Sequence, residues 1–88
     1  MISHTGQLAA LRIVYAQLVI SARKHRAPTQ QSLIAEAARD TQVEALALAA
    51  EIRHAGGDDS EAVDLAHSCG ALRALCEAQV QGLEVGHA

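Results

Sequence analysis

Apolar residues recur along this chain at alternating steps of four and three, the period of a helix buried on one side. Between Pro28 and Gly56 the recurring positions are Ile34, Ala38, Thr41, Ala45, Leu48 and Ile52. A matching stripe, Leu65, Cys69, Leu72, Cys76, Val80 and Leu83, follows Gly57. Two such seams predict a pair of helices in heptad-like contact. The punctuation agrees. Proline at position 28 suits a first helical turn, with Thr29 or Ser32 as the cap. Gly56-Gly57 supplies the left-handed conformation that ends a helix, and Asp58 followed by Glu61 has the spacing of a capping box. Helix two is expected over about 29–55 and helix three over about 59–81, with a flexible tail over 82–88. The turn Gly56–Ser60 is short enough to make the two antiparallel.

The first helix, expected over about 5–26, has a different pattern. Leu8, Leu11, Tyr15, Leu18, Val19 and Ala22 share one face. A second apolar face, about 150° away, holds Ala9, Ile13, Ala16 and Ile20. Two apolar faces require two partners. One is the rest of the chain, and the other is most simply the same helix of a second subunit. Tyr15, the largest side chain present, suits the centre of that contact, so Leu8, Leu11, Tyr15, Leu18 and Val19 are the predicted dimer interface.

Composition narrows the class. Nineteen residues are alanine, Phe and Trp are absent, and Tyr15 is the sole aromatic. The fold class is all-α: a three-helix bundle of an antiparallel hairpin plus helix one, assembled as a homodimer because a chain of 9.2 kDa has a marginal core. At that mass only about 63% of the unfolded surface leaves water on folding. That is too little for a deep, self-contained cleft. The run Leu8–Ala22 is interrupted by Arg12 and Gln17, too short and polar to span a bilayer, and its basic cluster follows it rather than preceding it as in a secretory signal. Cys69 and Cys76 lie two turns apart if both are helical, beyond disulfide reach, and read as reduced thiols in a cytoplasmic protein.

Charge is unevenly spread. Residues 1–31 carry four Arg or Lys and no acid, residues 32–55 have a net charge of −2, and residues 56–88 have −5. Part of this is expected to cancel inside the fold, with Arg12 close to Glu44 in an antiparallel arrangement. The acids Asp58, Asp59, Glu61 and Asp64 are candidates for binding a basic surface on a protein partner. Arg23, Lys24 and Arg26 offer a nucleic-acid accessory role instead. The net charge of −3 and the lack of any nucleic-acid motif count against it.

Two carboxylate–imidazole pairs, Glu51 with His54 and Asp64 with His67, have the i, i+3 spacing that di-iron carboxylate bundles use. They define an alternative function, a metal-binding bundle. Both pairs point away from the apolar seams, whereas ligands of bundle sites project inward, so no metal or cofactor is expected. His4, His25 and His87 have no assigned role. Glycine-rich phosphate loops, GxSxG and CxxC are absent. Ser60 and His67 lie too far apart to act as nucleophile and base. The sequence thus points to a small non-enzymatic protein-binding regulator: an adaptor, inhibitor or chaperone-like subunit.

Overall fold

The computed structural model describes the backbone of residues 3–85 and the side chains of residues 3–82. Leu83, the last member of the second seam, therefore lies outside the described side chains, and Gly86 and His87 outside the described residues. Three helices follow in chain order: α1 (His4–Lys24), α2 (Pro28–His54) and α3 (Ser60–Val85). Helices α2 and α3 form the most extensively packed pair, α1 leans mainly on α2, and α1 barely meets α3. The molecule is long and narrow, 52 × 17 × 14 Å. Its radius of gyration is 14.7 Å, against about 12 Å for a compact chain of this length.

The helix ends follow from local chemistry. Ser3 caps α1, its hydroxyl accepting from the Gly6 N–H at 3.1 Å. Helix α1 stops at Lys24, two residues earlier than the pattern suggests, with His25 already extended as its C-cap and Pro28 keeping Ala27 out of helical geometry. Ala27 is extended (φ −62°, ψ 141°) and serves as the N-cap of α2 without any side-chain hydrogen bond. Neither Thr29 nor Ser32 caps α2, since Pro28 at the first helical position places the cap before both.

At the other end of α2, the Gly57 N–H donates to the Ile52 carbonyl (2.9 Å) and the Gly56 N–H to the Arg53 carbonyl (3.0 Å). Gly56 sits at φ 80°. Together these make a Schellman closure, with glycine where left-handed backbone is required. Helix α3 begins one residue later than expected, at Ser60, and continues through Gly82 to Val85. One glycine costs a helix only about 1 kcal/mol relative to alanine, and neighbouring Gln81, Leu83 and Glu84 are good or fair helix formers.

The core has two halves. Leu8, Ala45, Leu48, Ala49, Ala62, Leu65, Ala66 and Cys69 fill the end nearest the α2–α3 turn. Ile34, Ala35, Ala38, Leu72 and Cys76 fill the other. Tyr15 packs against both halves and joins them. Thr41, a polar residue on the seam, is buried at no loss because its hydroxyl donates back to the Ala37 carbonyl at 2.8 Å. Small residues keep the α2–α3 interface close. A Cβ added to Gly70 would lie 2.9 Å from the Gln42 amide nitrogen.

Candidate protein-binding surface

Helix α1 contributes one fully buried residue, Leu8. Leu11, Tyr15, Leu18 and Val19 are half-buried against α2 and α3. The five residues assigned to a second subunit thus pack inside the chain, Leu8 buried and the other four half-buried. The larger side chains turn inward because only they can cover the alanine-rich hairpin. The opposite face is left open. Ile13 is 60% exposed and Ile20 52% exposed, and Ala9 and Ala16 are bare on the same face.

Two grooves flank α1. The one shared with α2 has an apolar floor of Ala10, Leu11, Ala47 and Leu48, rimmed by Glu44 and Glu51, with a volume of about 340 Å³. The one shared with α3 is about 390 Å³, and its walls include Tyr15, Val19, Leu72 and Leu75. Arg23 and Arg26 stand at its mouth. Neither guanidinium has an acidic partner among the described residues, while Leu75 is 64% exposed.

Arg12 does not meet Glu44. It reaches Glu61 of α3 at 3.3 Å, because its side chain leaves α1 on the α3 flank while Glu44 lines the α2 flank.

The acidic turn is engaged locally. Asp58 accepts from the Ser60 hydroxyl (2.7 Å) and backbone N–H (3.0 Å). These two bonds, the hydroxyl first, hold its carboxyl below the usual aspartate range. The capping-box reading changes accordingly: the Asp59 carbonyl receives the first helical N–H, from Val63, and the Glu61 carboxylate is directed to Arg12. Asp59 pairs with Arg53 at 3.3 Å. Asp64 alone of the four has neither an ion-pair nor a side-chain hydrogen-bond partner among the described residues.

Glu51 lies 3.8 Å from the His4 imidazole, and His54, Asp64 and His67 are exposed. Among the described residues no three His, Cys, Asp or Glu side chains converge as a metal site would require. At the basic end, His25 is the C-cap of α1 beside Lys24 and Arg26. Cys69 and Cys76 are free and buried. Burial raises both thiols above the ordinary thiol range, and Glu77 adds to the rise at Cys76. No described helix is long and apolar enough to cross a membrane.

One residue that joins the elements was not singled out in the sequence. Gln31 is 1% exposed, and its side-chain nitrogen donates to the Ala22 (2.9 Å) and His25 (2.6 Å) carbonyls. It satisfies the carbonyl end of α1, where no further helical turn exists to do so. A glutamine one turn inside a helix that follows an X-Pro break is the available signal. Leu75, apolar but off the α3 seam, is the corresponding signal for the groove.

The class defined by fold and surface is an all-α three-helix bundle with one incompletely covered helix. Comparison with known protein families, curated proteins and solved structures finds no match to this chain.

Proposed function

We propose that this protein acts by binding another protein, as a non-enzymatic regulator of the adaptor, inhibitor or chaperone-like kind, and that the α1–α3 groove receives an acidic amphipathic helix of the partner. The observation that supports this reading is an apolar cleft whose lining includes two guanidiniums, Arg23 and Arg26, with no acidic partner among the described residues. Tyr15, Val19, Leu72 and Leu75 would cover the apolar stripe of the guest helix. Arg23 and Arg26 would meet its carboxylates, and arginine suits such pairing because its planar fork matches a carboxylate. The acidic turn supports a basic partner less well, since Asp58, Asp59 and Glu61 already have local partners.

The test is an NMR titration with two synthetic helical peptides of about five turns, one Leu/Glu and one Leu/Lys. The Leu/Glu peptide is expected to shift the resonances of Tyr15, Val19, Leu72 and Leu75, and Arg23→Glu/Arg26→Glu to abolish that response. Binding of the Leu/Lys peptide around Asp58–Asp64 would replace the groove by the acidic turn. Indifference to both peptides would end the protein-binding proposal at this groove.

A further inference from the structure

The outer face of α1 has a geometry of its own. Ala9, Ile13, Ala16 and Ile20 follow one another at steps of four, three and four, the spacing of a coiled-coil seam. All four are exposed and none lines either groove. Arg23 and Lys24 follow the seam at its end, and α1 contains no acid at all.

The molecule is also polar from end to end. Around the first turn of α1 lie Glu51, next to His4, and Asp58 and Glu61, which share a depression with His4 and Thr5. At the last turn of α1 stand Arg23 and Lys24, followed by Arg26, with no carboxylate paired to them among the described residues.

We infer that the occupant of this outer face is a second copy of the chain, with the two α1 helices antiparallel about a two-fold axis between Ile13 and Ala16. In that register Ala9 of each protomer meets Ile20 of the other, and Ile13 meets Ala16. Arg12 falls level with Gln17 and keeps its own chain's Glu61 as ion-pair partner. Lys24 falls opposite Thr5, beside the other protomer's acidic end, where Glu51 meets an imidazole and Asp58 a serine, and neither has an Arg or Lys partner among the described residues. A parallel pairing would set Arg12, Arg23 and Lys24 against themselves, which like charges oppose. The two-fold makes each favourable end contact occur twice.

Light scattering over a concentration series tests the association, and a distance measurement tests its direction. The full chain is expected to be a dimer. Ile13→Glu/Ile20→Glu is expected to be monomeric with an unchanged helical circular dichroism spectrum, since both side chains are exposed in the monomer. Arg23→Glu/Lys24→Glu is expected to weaken dimerisation by roughly tenfold at low salt, from several exposed pairs each of modest strength.

A spin label on Thr5→Cys reports the direction, because Cys69 and Cys76 are buried and leave the reagent to position 5. Antiparallel helices place the two labelled positions about 30 Å apart, whereas parallel ones place them about 10 Å apart. A monomer at every soluble concentration overturns the proposal. So does a dimer that survives Ile13→Glu/Ile20→Glu, or one with the short distance. None of these outcomes bears on the α1–α3 groove, which Ile13 and Ile20 do not line.

Discussion

The side-chain nitrogen of Gln31 donates to the main-chain oxygen of Ala22, nine residues earlier, at 2.9 Å. One amide at the start of α2 thereby holds the end of α1, with the His25 carbonyl as its second acceptor. Gln31→Leu removes both bonds and leaves two carbonyls to find water, at a cost of about 1–3 kcal/mol. Gln31→Glu is expected to cost more at neutral pH, because an ionised carboxylate faces two carbonyl oxygens and cannot donate to either. Urea denaturation of the two variants at pH 7 and pH 4 checks this. Acid should narrow the gap, since a protonated glutamate regains one donor. A variant as stable as wild type would show the contact to be energetically idle.

Gly56 is held at φ 80°, where an alanine Cβ is strained even with open space around it. Gly56→Ala is expected to destabilise by about 1–2 kcal/mol. Gly82→Ala places a methyl group in open space within a helical turn, and is expected to be neutral or stabilising by up to about 1 kcal/mol. Thermal melts of the two variants should move in opposite directions. A loss of stability from Gly82→Ala would mean that α3 does not persist as a helix through that position.

Much of this was legible from spacing alone. Ile34, Ala38, Thr41, Ala45 and Leu48 are buried on the predicted seam, as are Leu65, Cys69, Leu72 and Cys76 on the facing one. A helix packed on one neighbour shows its inner face as a single stripe. Helix one carries two stripes, and periodicity does not rank them. Ranking them requires knowing that the hairpin surface under α1 is largely alanine, so that Tyr15, Leu11 and Leu18 are needed to fill the space. Arg12 was misplaced for a related reason: a side chain midway between two neighbours is directed by the tilt of α1, which no spacing records.

Asp58 supplies a pH dependence. Its folded-state acidity is strengthened by the Ser60 bonds, so its contribution to stability is complete above the ordinary aspartate value of about 3.9 and is lost as pH falls through the lower folded value. Asp58→Asn should therefore flatten the acid limb of the stability profile below about pH 4 and lower stability by a pH-independent amount between pH 6 and 8. An unchanged acid limb would mean that the hydrogen bonds to Ser60 do not persist in solution.

The thiols of Cys69 and Cys76 are buried, with burial raising both above the usual range. Both should resist a thiol reagent in the native protein and react fully in denaturant. Cys69→Ser is expected to cost about 1–3 kcal/mol, because a hydroxyl replaces a thiol at a site with no exposed surface. Rapid native labelling of either residue would show that the core opens far more often than its packing implies.

Packing is distributed unequally among the three helices, and this sets a hierarchy in time. The α2–α3 hairpin closes through a short turn and contacts between helices adjacent in sequence, so it has what it needs to form early. Helix α1 is anchored chiefly by Leu8, by half-buried neighbours and by the Gln31 amide. Its amides should exchange with solvent through local opening at lower free energy than those of the hairpin, as a separate cooperative unit. A binding event that covers α1 would slow this exchange without altering the hairpin, so deuterium uptake along α1 alone would report occupancy of the exposed helix.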